Sequence, residues 1–163
     1  MGQKYFTVKK NKLPNLFLFL GMAALLSCNA PSIYEEEKSI AKDGWAYRDT
    51  LDFRFAMTDT SQRYNIYLDF DHAEDFGSQN IYLRLHTRFP DGKRVAKVFP
   101  VDFYDAQGQC FGQCSGGQCH LRAVLQENAF FNQTGEYTIT VEQYMRQDPL
   151  LGVSKLGLIV VKK

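Results

Sequence analysis

Three cysteines and a histidine crowd into one short stretch, Cys110-Phe111-Gly112-Gln113-Cys114 and then Cys119-His120. Thiols so placed can bind metal, attack a substrate or pair. As metal ligands they offer C-x₃-C-x₄-C-H, which departs from the C-x₂-C knuckle of structural zinc sites. As a nucleophile Cys110 has only 53 residues after it, where a papain-type thiol protease places its histidine ~130 or more residues downstream. Gly112-Gln113-Cys114-Ser115-Gly116 fits G-x-C-x-G, but a nucleophile elbow needs a strand-to-helix turn in an α/β sheet. The remaining chemistry is oxidation, favoured in an exported chain. A Cys110 to Cys119 disulfide would close a ten-residue loop and add roughly 2.5 to 3 kcal/mol in the chain-entropy model. One thiol is then left over, free or bridged to a partner, and Cys114 is the candidate. No catalytic residue, metal or cofactor is expected from this loop.

Other polar residues group less tightly. Asp69, Asp71, Glu74 and Asp75 bunch in DFDHAED, yet the EF-hand register and its glycine are missing, so a solvated hairpin end is expected rather than a calcium site. His72, His86 and His120 have no partners at metal or triad spacing and read as surface or loop histidines. Tyr47, Tyr67, Tyr82 and Tyr144 are expected to point outward, where aromatic rings stack on sugars or on a protein, or cover core edges.

These groups must be carried to their compartment. The chain opens with Lys4, Lys9, Lys10 and Lys12 and no acid, followed by the apolar run Leu16 to Leu26. Eleven apolar residues are too few to span a bilayer, which needs ~20, so residues 1–27 read as a cleaved signal peptide. Leu25-Leu26-Ser27-Cys28 is similar to the lipobox of bacterial lipoproteins, in which the cysteine sulfur is acylated and becomes the new N-terminus. Membrane lipid on Cys28 is thus the first expected partner. Asn29, where an aspartate would imply inner-membrane retention in such lipoproteins, points to the outer membrane.

Removing the leader leaves 136 residues, enough for one domain with its own core. The leader holds four of the nineteen basic residues and none of the eighteen acidic ones, so the remainder carries a formal charge of −3. With no Lys/Arg run in it, nucleic acid is not an expected partner. Residues 28–42, with Pro31 and Glu35-Glu36-Glu37, show no apolar periodicity and read as a lipidated N-terminus and solvated tether.

The domain is expected over residues 43–163. Apolar side chains alternate through Trp45, Tyr47, Leu51, Phe53, Phe55 and Met57, then through Ile66, Leu68 and Phe70, and again from Ile81 to Phe89. Period two means half-buried strands. Pro90-Asp91-Gly92 supplies a turn. Pro100 confines the strand over Arg94 to Tyr104 to an edge or a bulge. Leu121, Val124 and Leu125 at near-helical spacing make 120–131 the only helix candidate. Glu136 to Met145 and Leu156 to Val161 close the chain as strands. About seven strands without βαβ alternation predict an all-β, antiparallel β-sandwich.

Several phrases then fall in a familiar order: Tyr64-Asn65-Ile66-Tyr67-Leu68, Phe89-Pro90-Asp91-Gly92-Lys93, Asp105-Ala106-Gln107-Gly108, Gly135-Glu136-Tyr137, Gln143-Tyr144-Met145-Arg146, Leu150 and Gly152-Val153. From Trp45 to the C-terminus this order resembles the GldH family of gliding motility lipoproteins. The resemblance implies a non-catalytic, lipid-anchored envelope protein of the outer membrane. It would work among the gliding motility and type IX secretion proteins as its partners, without a small-molecule substrate. The cysteine loop departs from the family's pattern, which typically shows a Trp-Leu-Gly-x-Gly segment there. The alternative function is a carbohydrate-binding module on a surface lipoprotein, using the outward tyrosines.

Overall fold

The computed structural model describes residues 32–163; the leader of residues 1–27 and Cys28 lie outside the described residues. Nine strands run in order as β1 (Ser32–Ser39), β2 (Leu51–Met57), β3 (Tyr64–Ala73), β4 (Asn80–Arg88), β5 (Arg94–Asp102), β6 (Gln113–Ser115), β7 (Gln118–Ala129), β8 (Gly135–Gln143) and β9 (Val153–Lys162). They form a five-stranded sheet, β1-β9-β3-β7-β6, and a four-stranded sheet, β2-β8-β4-β5. Every pairing is antiparallel. The expected all-β sandwich is present, with nine strands among the described residues in place of about seven.

The alternation sets the two inner faces. Phe53, Phe55 and Met57 of β2 meet Ile66, Leu68 and Phe70 of β3, Leu83 and Leu85 of β4, Tyr137, Ile139 and Val141 of β8, and Leu156, Leu158 and Val160 of β9 in one buried cluster. Side chains that alternate in this way bury one face of each sheet against the other. Pro100 lies on β5, the outer strand of its sheet, where the missing N–H interrupts no inner ladder. Trp45 closes one end. It is fully buried, exchanges two backbone hydrogen bonds of 2.9 Å with Leu150, and donates Nε1–H to the Asp49 carbonyl at 2.7 Å.

Two sequence expectations are overturned here. Residues 120–131 are not helical, because β7 takes its ladder from β3 along most of its length. Cys119 and Leu121 are buried, Ala123 and Leu125 are half-buried, and the residues between them face out. Val124, which completed the helical spacing, is 47% exposed. Nor is 28–42 a tether throughout, because Ser32–Ser39 pairs along β9. Its inward residues are Tyr34, Glu36 and Lys38. Tyr34 packs on Phe55 with ring centroids 5.3 Å apart, Lys38 sits 5.5 Å from the centre of the Phe53 ring, and Glu36 bonds to both Tyr34 and Lys38. Charges pointing inward from an edge strand hide its period of two, and they also discourage pairing with another chain. The β domain therefore begins at Ser32 rather than at residue 43.

Because β1 enters at Ser32, the sandwich has two distinct ends. Ser32, Tyr64, Ala129 and Val161 lie at one; Ser39, Ala73, Gln118 and Val153 lie at the other. The cysteine loop belongs to the second.

Candidate functional site

The cysteine stretch folds back over that second end. Asp105 Oδ1 accepts from the N–H groups of Gln107 at 2.9 Å and Gln109 at 2.8 Å, which turns the chain so that Cys110 bridges back to Tyr104. Phe111 N–H then donates to the Phe103 carbonyl at 2.9 Å. Gly112 lies against β7 so closely that a Cβ there would stand 2.4 Å from the His120 carbonyl oxygen. Beyond it, Gly116 and Gly117, with φ of 62° and 81°, make the tight turn from β6 to β7.

This turn pairs Cys114 directly with Cys119, and the two are joined in a disulfide with Cα atoms 4.0 Å apart. The expected Cys110 to Cys119 bridge is thus not the one formed, and Cys110, not Cys114, carries the free thiol among the described residues. The reason is register: cross-strand neighbours in a short hairpin are already at bonding range, whereas Cys110 must reach in from a separate loop. Cys114 is exposed and Cys119 fully buried.

Beneath them lies His72, which is buried and not the surface residue expected. It continues the inward series of β3, Tyr64, Ile66, Leu68 and Phe70, by one more step of two. That periodicity, carried past the acidic residues, could have found it. Its ring stacks on Phe103 at a centroid distance of 4.5 Å. Nδ1 is 2.8 Å from the Ala73 carbonyl oxygen. A carbonyl accepts only, so Nδ1 holds the proton and Nε2 presents its lone pair. Nε2 faces Cys110 Sγ at 3.8 Å, and Gly112 N–H donates to the same sulfur at 3.2 Å. Burial holds the His72 imidazole below its ordinary pKa, outweighing the Ala73 bond and the Asp71 charge. One ligand atom each of His72, Cys110 and Cys119 lies within 4.8 Å of the others. With Cys119 in a disulfide, only two of the three can serve a metal, short of the four that a structural zinc takes.

The acidic cluster is also rearranged. Asp69 and Asp71 belong to β3 and not to a hairpin end. Asp69 is buried on the outer face opposite Gly157, and Arg122 of β7 holds both its oxygens, Nε–H to Oδ1 at 2.8 Å and Nη2–H to Oδ2 at 2.6 Å. Asp71 lies 2.8 Å from His120 Nδ1 and 3.0 Å from Lys155 Nζ, and Lys155 also reaches Glu37 at 3.0 Å. Burial pushes the Asp71 carboxyl up, but His120 and Lys155 together bring it below its ordinary value. Four strands thus contribute to one row of paired charges.

Of the tyrosines, Tyr47, Tyr82 and Tyr144 are exposed as expected, and the Arg84 guanidinium lies 4.0 Å from the centre of the Tyr144 ring. Tyr67 is half-buried on the other sheet, with Arg122 5.7 Å from its ring centre. Tyr47, Tyr82 and Tyr144 are brought together around Met145, since Tyr144 N–H donates to the Tyr82 carbonyl at 2.7 Å and the Tyr47 hydroxyl donates to the Met145 carbonyl, whereas Tyr67 stands apart. At the Ser32 end an apolar cleft of about 340 Å³ opens between the sheets, lined in part by Leu85, Val95, Leu125, Phe130 and Phe131.

Fold and site define a small two-sheet domain whose outer faces are charged and whose far end carries a sulfur cluster. The GldH lipoprotein family model matches residues 32–160, from the first residue of β1 into β9. The chain belongs to that family of lipoproteins, which implies an envelope protein held at a membrane. Over 156 residues it is 23% identical to the gliding motility lipoprotein GldH homolog of Christiangramia forsetii, covering 91% of this chain and 95% of that one. Among solved structures, a carbohydrate-binding module specific for non-crystalline cellulose overlaps 79% of this chain and 73% of its own, with a TM-score of 0.44 and 11% identity.

Proposed function

We propose that this protein is a non-catalytic component of a gliding motility apparatus associated with type IX secretion, held on the outer membrane by lipid on Cys28. The match of the family over residues 32–160 is the observation that supports this reading most. The fold adds a physical reason. Only three residues separate Cys28 from β1, and four Cα steps reach at most about 14 Å. An anchor that short keeps the Ser32 end against the headgroups and turns the cysteine hairpin and the row of charges away from the bilayer. Acyl chains contribute ~0.8 kcal/mol per buried CH₂. Confinement to the surface also raises the effective concentration towards neighbouring envelope proteins without any new contact.

The test is a chromosomal Cys28→Ser replacement, followed by membrane fractionation and colony spreading on agar. The variant is expected to leave the membrane fraction and to abolish spreading while the domain stays folded. Retention in the membrane would end the anchor reading. Release with normal spreading would end the motility reading and leave the anchor intact.

A further inference from the structure

We propose that Cys110, Cys114 and Cys119 form an exchange relay that moves the free thiol from its sheltered place at Cys110 to the exposed sheet edge at Cys114, where it takes up a partner through a mixed disulfide. Three observations carry this. The Cys110 sulfur lies within 4.8 Å of the Cys119 sulfur. The unprotonated Nε2 of His72 faces the same thiol at 3.8 Å, so a proton acceptor is already in place. And Cys114 stands exposed on β6, the outermost strand of its sheet, whereas Cys119 is buried.

Exchange proceeds by attack of a thiolate on a disulfide sulfur. Cys110 passes its proton to Nε2 of His72, and the thiolate attacks Cys119 Sγ. The Cys110–Cys119 bond forms as the Cys114–Cys119 bond breaks, and the electron pair leaves on Cys114 Sγ. No oxidant is consumed, since one disulfide and one thiol exist before and after. The Cys114 thiolate can then attack a disulfide of a second exported protein; it gains one sulfur of that bond, and the other departs as a thiolate that takes the proton from His72. Buried Cys119 serves as the pivot in both pairings, and Gly112, pressed on β7, keeps Cys110 within its reach. The relay needs only described residues and does not depend on the motility reading.

Cystine serves as the probe, incubated with full-length protein purified from membranes. Peptides cut at Phe111, with cleavage products read by fragmentation under non-reducing conditions, separate Cys110 from the other two. The expected product carries one cysteinyl group on Cys114 together with a Cys110–Cys119 link, and the same peptide map keeps Cys28 apart. Cys110→Ser is expected to give no adduct at Cys114, and His72→Gln to slow adduct formation by about tenfold or more; circular dichroism confirms that each variant is folded. An adduct confined to Cys110, with Cys114–Cys119 kept, overturns the relay. So does an adduct at Cys114 that persists in Cys110→Ser, or the absence of any adduct. Should the variants not fold, the location of the adduct in the unaltered protein still decides.

Discussion

Arg122 of β7 grips both oxygens of Asp69 of β3, at 2.8 and 2.6 Å, across the outer face of the larger sheet. The two partners are unequal, since the Asp69 side chain is 7% exposed and the Arg122 side chain 52%. Removing the arginine therefore leaves a buried carboxylate with only His120 Nε2, at 3.7 Å, beside it, while removing the acid leaves a cation that can turn to water. Breaking a fully buried pair costs ~3–5 kcal/mol; with one partner half in solvent, Arg122→Leu is expected to cost about 2 kcal/mol. Asp69→Asn should cost about 1 kcal/mol. Urea unfolding measures both, and equal losses would contradict this asymmetry.

His72 makes stability depend on mild acid. In the unfolded chain it titrates near 6.5, and burial in the fold holds it lower. As pH falls, the unfolded chain binds this proton first, so the contribution is complete above pH 6.5 and is lost as pH drops from there towards the folded value. Around the ring, Asp71 and the Ala73 carbonyl oppose the effect without reversing it, and Cys110 and Tyr104 complete its polar surroundings. His72→Gln should flatten the fall in melting temperature as pH drops below 6.5. Parallel slopes in the two proteins would mean that the imidazole protonates alike in both states.

Trp45 is the chain's single tryptophan and has no exposed surface. Its fluorescence is expected to be blue-shifted in the fold and to move red in one step with unfolding. Trp45→Ala should cost roughly 3–5 kcal/mol, since it empties a large core site and leaves the Asp49 carbonyl without its donor. A loss under about 1 kcal/mol would mean that this end of the sandwich is sealed by other residues.

Gly112 sets how firmly the Cys110 loop is held. An alanine there would meet the His120 carbonyl oxygen at 2.4 Å, and neither backbone can give by that much without moving. Gly112→Ala is expected to cost about 1–3 kcal/mol and to speed alkylation of Cys110 with the Cys114–Cys119 bond intact. Quantitative iodoacetamide labelling checks it; unchanged labelling would show that the loop reaches Cys110's position without this contact.

The sequence alone determined the all-β class, because alternation in β2, β3, β4 and β8 states directly which side chains leave water. It also placed the turn at Gly92 and the edge strand with Pro100, since those depend on the backbone freedom of single residues. Only the tertiary structure decided that Ser32–Ser39 is a strand, that β7 is not a helix, and which two cysteines join. Each of these turns on what lies across a ladder or beneath a loop. Glu36 and Lys38 can face inward only because Tyr34, Phe53 and the edge of β9 receive them. Cys114 meets Cys119 only because the hairpin register aligns them. Such facts are set by register and packing between strands, and the spacing of residue types along the chain does not contain them.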